Sequence, residues 1–267
     1  MTTPLPDWNK VAEKFDLWLP HLAPATDALL RALDVAPHHR VLDIACGTGE
    51  PVFSVIRALG NSDQIVACDG AWGMVAATAA KAARHGIDLA CVHMRAEDLA
   101  FDNESFDRVV CRFGVMLFDD PTAGAREIRR VLRPGGRVAL AVWDRLDLMP
   151  TMRWCIDAFR DHIDADMLPA TERINRYGDP DALAELVSAL DLAHVSVTRH
   201  TLHYRFPAFD DYWSTLIASG IMQNQLDAVS AERHGNIKNA FARAAETFAS
   251  DGELAIPHGY IVISGRK

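Results

Sequence analysis

The chain has 267 residues, 49% of them hydrophobic, and its 36 acidic against 27 basic side chains leave a formal net charge of -9. That length holds one large core with insertions, or one domain and a small cap. The charge argues against nucleic acid or an anionic membrane as partner, because such binding is driven by counterion release at basic patches.

In chain order, an N-terminal segment (1–36) comes first. It opens MTTPLPDWNK, without the basic and then apolar run of a signal peptide, and no later apolar stretch is long enough to cross a bilayer. The expected location is therefore cytoplasmic, with no membrane insertion. Trp8, Val11, Phe15, Trp18 and Leu22 recur at helical spacing, with Pro20 interrupting near the end. This stripe packs on the core or walls a substrate pocket, and the spacing fits either.

A core is expected over 37–143. Val41, Leu42, Ile44 and Ala45 form a short β-rich run without helical period, as in a strand buried on both faces of a parallel sheet. Gly47 and Gly49 then permit a sharp turn and close approach of backbone amides to a ligand. Glu50 and Pro51 start a helix that runs to about Leu59. Proline is tolerated at the first helical position, and an acidic side chain suits the positive end of the helix dipole by roughly 0.3 to 1 kcal/mol. After the second strand, in IVACDGAWGM, a helix is expected from Ala71 to Arg84, a third strand from Ile87 to His93 and a fourth from Phe106 to Cys111. Asp120 and Pro121 cap a helix whose Ala125, Ile128 and Leu132 face the sheet and which Pro134, Gly135 and Gly136 stop. Val138 to Trp143 is the fifth strand.

An insertion over 144–178 follows. Residues 179–206 return to the core, with a helix started by Asp179 and Pro180 through about Leu190 and a sixth strand between Val195 and Phe206. In a second insertion, 207–256, Tyr212, Trp213, Leu216 and Ile217, then Ile237, Phe241, Ala244 and Phe248, make two amphipathic helices. Such helices cover a pocket or bury a homodimer face. The last strand, Tyr260 to Ser264 within 257–267, is entered after Pro257. Strands alternating with helices describe a doubly wound, mostly parallel α/β sheet. Ligands in such folds bind at the carboxyl ends of the strands, where both insertions leave, so the insertions are expected to form a helical lid there.

Cys46, Cys68, Cys91, Cys111 and Cys155 show no C-x-x-C spacing and read as small buried hydrophobes, and no metal-ligand pair at helical spacing appears among the histidines. Arg129, Arg130, Arg133 and Arg137 form a basic cluster whose members fall largely at a helix end, where cations favour the dipole.

The ten residues VLDIACGTGE, 41–50, carry the chemistry. A dinucleotide fingerprint needs G-x-G-x-x-G, and here the third glycine is replaced by Val52. Glu50 would also set a carboxylate where a pyrophosphate should sit, so a cationic nucleoside suits the turn better. Asp43, Ala45, Gly47 and Gly49 resemble the D-x-[GA]-x-G-x-G signature of Rossmann-like (class I) S-adenosylmethionine-dependent methyltransferases. Three further stretches match in order: IVACDGAWGM with its acidic strand end, RAEDLAFDNESFDRVVCRFGVM, and EIRRVLRPGGRVALAVW. Together they most resemble the ubiquinone and menaquinone type of small-molecule methyltransferase. The resemblance implies a seven-stranded sheet with the last strand antiparallel, S-adenosylmethionine as cofactor with S-adenosylhomocysteine as product, and a small, largely apolar acceptor methylated at oxygen or carbon.

Carried over residue by residue, the resemblance places Asp43, Ala45, Cys46, Gly47 and Gly49 at the cofactor turn. Asp69, with Gly70 beyond it, accepts the ribose hydroxyls, since an ionised carboxylate is acceptor-only and takes two donors. Met74 packs against the adenosine, or is simply core. Arg112 and Phe113 border the methionine portion and the reaction centre, and Arg112 is also a candidate for binding a substrate carboxylate. One departure stands out: where the family carries Asp or Asn before Ala-Glu, this chain has Arg95, which has no acceptor for the adenine amino group. Ala96 and Glu97 are left to serve the adenine, while Arg95 stacks on the purine or points to solvent. His203 and His258, expected near the carboxyl end of the sheet, are candidate general bases, with His21 and His162 behind them. The alternative function is a methyltransferase-fold scaffold or cyclase that keeps the cofactor site and transfers nothing.

Overall fold

The computed structural model describes residues 5–250 and 252–267; the first four residues of the N-terminal segment and Asp251 lie outside the described residues. In chain order the elements are α1 (Trp8–Val11), α2 (Leu19–Leu33), β1 (Val41–Ile44), α3 (Val52–Leu59), β2 (Ile65–Asp69), α4 (Trp72–Arg84), β3 (Ala90–His93), β4 (Phe106–Arg112), α5 (Pro121–Val131) and β5 (Leu132–Trp143). Then come α6 (Pro150–Phe159), α7 (Thr171–Ile174), α8 (Pro180–Leu190), β6 (Ala193–Phe206), α9 (Phe209–Ser219), α10 (Gln223–Asp227), α11 (Ala231–Ala245), the short β7 (Ala249–Ser250) and β8 (Glu253–Arg266).

The sheet order is β3-β2-β1-β4-β5-β8-β6, with β7 pairing β8 off this path. The first five strands pair in parallel, and β8 runs antiparallel to both β5 and β6. Seven main strands with the last one reversed is the expected architecture, with β7 as a small addition. Strand order reverses between β1 and β4, so the crevice beyond their carboxyl ends is the natural ligand site.

Alternation along the strands splits the core into two layers. Val41, Val110, Ala139, Ala141 and Val262 face α2 and α3. Leu42, Val109, Leu140, Ile261 and Ile263 face α5 and α8. Both faces are covered, as a parallel sheet requires. Helix starts follow local chemistry: Asp120 Oδ1 accepts from Ala123 N and Asp179 Oδ1 from Asp181 N and Ala182 N, each just ahead of a proline.

Several boundaries moved. The N-terminal stripe is a short α1, a single turn over Phe15–Leu17, and then α2, in which Pro20 sits in the first turn rather than ending a helix. The helix after the glycine turn begins at Val52, with Pro51 as its cap residue rather than its first helical residue. β3 starts at Ala90 instead of Ile87, because its one partner, β2, pairs it only over Val66–Asp69. Leu132 opens β5 opposite Phe106 instead of closing α5. β8 begins seven residues earlier than Tyr260, and Pro257 lies inside it. Pro257 is tolerated because β5 pairing stops at Tyr260, so this part of β8 pairs β6 but not β5.

All five cysteines are free, and every one except Cys91 is buried. The basic cluster is used within the chain: Arg130 ties Glu127 to the Leu99 and Phe101 carbonyls, Arg133 pairs Asp107, Arg129 pairs Asp191, and Arg137 reaches Asp34. Among the described residues, no helix is long and apolar enough to cross a membrane.

Candidate functional site

A cavity of about 610 Å³ opens at the carboxyl ends of the parallel strands. One end is built by the glycine turn and the ends of β2 and β3: Ala45, Gly47, Asp69, Gly70, Met74, Ala96 and Glu97 line it. The other end is aromatic, with Trp18, Trp143, Tyr204 and Tyr212 joined by Leu216 and Met222, while Phe15 stands over Gly47 at the turn. Arg112, Phe113 and Gly114 stand between the two.

The turn is held in an uncommon backbone shape. Ala45 and Phe113 lie at φ 55 and 58, a region non-glycine residues seldom occupy and one that recurs at functional sites. Gly47, at φ 57, meets the cavity without a side chain. Its amide donates to Asp69 Oδ2 at 2.9 Å, and Ala71 N donates to Asp69 Oδ1 at 2.8 Å. The end of β2 thus ties the turn to the start of α4. Burial raises the Asp69 pKa, opposed by these two amides. Each oxygen still has lone pairs for ligand hydroxyls. Met74 and Ala96 are 3% and 6% exposed and give this end apolar walls. A nucleoside therefore fits the residues present.

Not every expected turn residue meets the cavity. Asp43, Cys46 and Gly49 lie beneath the turn and do not line it. Asp43 is fully buried, its carboxylate oxygens have no hydrogen-bond partner among the described residues, and burial pushes its pKa well up. Gly49 packs against the Phe53 ring. Glu50 lines the cavity, but its carboxylate accepts from Ser54 Oγ at 2.6 Å and Arg57 at 3.0 Å, so much of its charge is met within α3.

Arg95 lines the cavity with its side chain 58% exposed. It pairs with Asp119 at 2.7 Å and Glu97 at 3.3 Å, while Arg173 of α7 binds Asp119 at 2.9 Å and the Leu117 carbonyl. This ion network bridges the loop after β3, the loop after β4 and the first insertion at the adenine end. Glu97 Oε1 also accepts from Asp119 N at 2.7 Å, so it organises that loop as well as facing the cavity.

The N-terminal segment is fastened to the turn by contacts the sequence did not disclose. Asp16 accepts from Thr48 Oγ1 at 2.6 Å and Lys81 Nζ at 2.8 Å, and Lys81 also donates to the Thr48 carbonyl. Asn9 Oδ1 accepts from Gly73 N at the start of α4. These are polar side chains scattered over separate segments of the chain, with no periodicity to expose them.

The two histidines are corrected. His203 is exposed and sits beside Pro20, His21 and Arg205 in a separate shallow depression, outside the cavity. Alternation along β6 turns Leu202, Tyr204 and Phe206 inward and His203 outward, a signal already readable at period two. His258 is fully buried behind the cavity wall, stacked on Tyr204 with ring centres 3.9 Å apart. Its Nδ1 faces the Ile256 carbonyl at 3.2 Å, which accepts only, so Nδ1 carries the hydrogen and Nε2 accepts from Thr151 Oγ1 at 2.6 Å. Burial lowers its pKa to about 3, so it holds Tyr204 and Thr151 in place as a neutral ring rather than collecting a proton.

This has a pH signature. The unfolded imidazole protonates near 6.5 and the folded one near 3, so the unfolded state binds more protons between those values and stability falls as pH drops through the window. At about pH 5 the loss from this one group is about 2 kcal/mol. Asp43 acts in the opposite sense, since its raised pKa lets the folded state take up a proton first. The difference between wild type and His258→Gln isolates the histidine. Urea titrations near neutrality and at about pH 5 should show the stability gap between the two shrinking by about 2 kcal/mol at the lower pH. An unchanged gap would mean that His258 titrates normally.

Comparison with known proteins agrees with this site. Residues 41–136 match the methyltransferase domain family model. The chain is 28% identical to the nocamycin O-methyltransferase of Saccharothrix syringae, over 91% of this chain and 90% of that protein. It is 30% identical to the ubiquinone/menaquinone biosynthesis C-methyltransferase UbiE of Proteus mirabilis, over 64% of this chain and 73% of that protein. In fold it is similar to the YcgJ protein of Bacillus subtilis, with a TM-score of 0.62 at 20% identity, over 92% of this chain and 98% of that one. The chain belongs to the Rossmann-like S-adenosylmethionine-dependent methyltransferases of small-molecule type, and S-adenosylmethionine is its cofactor.

Proposed function

We propose that the protein methylates a small, largely apolar organic acceptor at oxygen or carbon. The observation that carries this reading is the single cavity that runs from the glycine turn and Asp69 to an aromatic chamber. When bound, S-adenosylmethionine supplies an electrophilic methyl group on a positive sulfur. On this reading Gly47, Asp69, Met74 and Ala96 hold the nucleoside, and Phe113 and Arg112 face the junction of the two ends. Phe113 is braced by stacking on Trp143, with ring centres 3.9 Å apart. The chamber excludes water and orients the acceptor, which is most of what methyl transfer asks of a protein.

The lid is made by three segments. Phe15 and Trp18 come from the N-terminal segment, Met149, Thr151 and Cys155 from the first insertion, and Tyr212, Leu216 and Met222 from the second. The named relatives support both accepting atoms, since one is an O-methyltransferase and the other a C-methyltransferase. The test is incubation with S-adenosylmethionine and a panel of aromatic and aliphatic hydroxy, enol and carboxylic compounds, followed by mass spectrometry. A product heavier by one methylene, formed together with S-adenosylhomocysteine, is expected. Products rearranged without that gain would replace this reading with a cyclase.

A further inference from the structure

We infer that the acceptor is an organic acid, an apolar body bearing an ionised oxygen that Arg112 holds at the junction between the cofactor end and the aromatic chamber. This rests on the small-molecule methyltransferase reading above and names the substrate class for that site.

The first argument is charge. Arg112 ends β4 and is 7% exposed, yet it lines the cavity. Its one side-chain partner among the described residues is neutral: the guanidinium donates to Thr26 Oγ1 at 2.7 Å. No carboxylate lies within ion-pair distance of it among the described residues, the nearby Glu50 being paired with Arg57, although a buried guanidinium is costly unless paired. The nearby acids do not fill the role. Glu50 and Asp43 act on Arg112 only through space: Glu50 is engaged by Ser54 and Arg57, and no direct contact joins Asp43 to the guanidinium among the described residues. A sulfonium in the same cavity adds a second positive charge. An anionic acceptor cancels one of the two and is attracted by both.

The second argument counts donors and acceptors. Trp18 lines the cavity with a 4% exposed side chain whose Nε1 is buried, so it brings apolar surface rather than a donor. Arg112 has donors beyond the one given to Thr26. A cavity with surplus donors selects a ligand that supplies acceptor oxygens. The apolar body of that ligand is set by Trp18, Trp143, Leu216 and Met222.

The third argument is the proton. Within the chamber the titratable side chains are Arg112, Tyr204, Tyr212 and Cys155, and burial pushes the two phenols and the thiol upward. His258 is shut behind Tyr204 and His203 lies outside. None of these takes a proton from an acceptor near neutrality. An acceptor that arrives ionised needs no base: its oxygen, or a carbon conjugated with it, supplies the electron pair of the new bond to methyl, the pair of the broken sulfur–carbon bond stays on sulfur, and no proton remains to be placed.

Carboxylates and acidic enolates share this chemistry, and matched probes separate them. Calorimetric titration of the protein saturated with S-adenosylhomocysteine would use naphthalene carboxylate against its methyl ester, and dimedone against its enol methyl ether. At least one anion should bind about 10- to 100-fold tighter than its neutral partner, the range of a hydrogen bond to a charged group, and which one does so names the source. Arg112→Met should abolish that ratio and Arg112→Lys should retain part of it. Neutral partners that bind as tightly as both anions, a ratio that survives Arg112→Met, or no binding of either anion would overturn the inference. The heat of S-adenosylhomocysteine binding, recorded first, reports separately on the methyltransferase site, so loss of one reading is distinguishable from loss of the other.

Discussion

Asp69→Ala is expected to weaken S-adenosylhomocysteine binding by about 100-fold or more, the largest single effect on ligand affinity anticipated for this chain. The carboxylate holds the Gly47 and Ala71 amides and, on the assignment proposed above, two ribose hydroxyls. Hydrogen bonds to a charged group contribute about 1.5 to 3 kcal/mol each, so losing two toward the ligand costs about 3 kcal/mol or more, a factor of about 100. Stability should change less than affinity, because the same substitution removes a buried charge whose desolvation already raises its pKa. Asp69→Asn should be nearly as damaging as alanine: one of its atoms becomes an amide donor facing an amide donor of Gly47 or Ala71. Calorimetric titration decides the matter. An affinity within about threefold of wild type for both variants would remove Asp69 from the ligand site.

Much of this was readable from the chain because the cofactor end is built from contiguous residues. A strand, a glycine turn and a helix start follow one another between Val41 and Leu59. The next strand ends at Asp69 for the same reason that it follows a helix of fixed length. Local sequence dictates those elements, and the parallel pairing of β1 with β2 and β4 brings their ends together. The aromatic chamber is different. Trp18, Trp143, Tyr204 and Tyr212 come from four distant segments, and no local pattern announces that they share a wall. The N-terminal stripe shows the limit of periodicity. Val11 packs with Met74, while Trp18 meets Tyr204, Phe206 and Tyr212. Two different docking surfaces break what looked like one helix. For His203 and His258 the error lay in reading position along a strand without its parity. Ile256, His258 and Tyr260 share a face of β8, and that face is buried.

Gly49→Ala is the second substitution expected to act strongly, and it separates backbone strain from packing. Gly49 lies at φ 111, where L-residues are strained, and an added Cβ would come within 2.6 Å of Phe53 Cδ2. Phe53 is 7% exposed and packed in the core layer with α2 and α3, so the ring has little room to retreat. Strain of about 1 to 3 kcal/mol and overpacking of about 1 to 3 kcal/mol act together. Set against a typical total stability of about 5 to 15 kcal/mol, the sum should lower the melting temperature by roughly 5 to 15 °C and disturb Gly47, whose position fixes the ligand end of the turn. Gly60 supplies the reference. It has φ 77 with no heavy atom within 4 Å of an added Cβ, so Gly60→Ala should cost about 1 kcal/mol, from strain alone. Trimming the ring in Gly49→Ala/Phe53→Leu should recover part of the loss in stability but not the whole, because the backbone term remains. If Gly49→Ala were no worse than Gly60→Ala, the turn would be tolerant of a side chain at that position, and close packing against Phe53 would not be what fixes its shape.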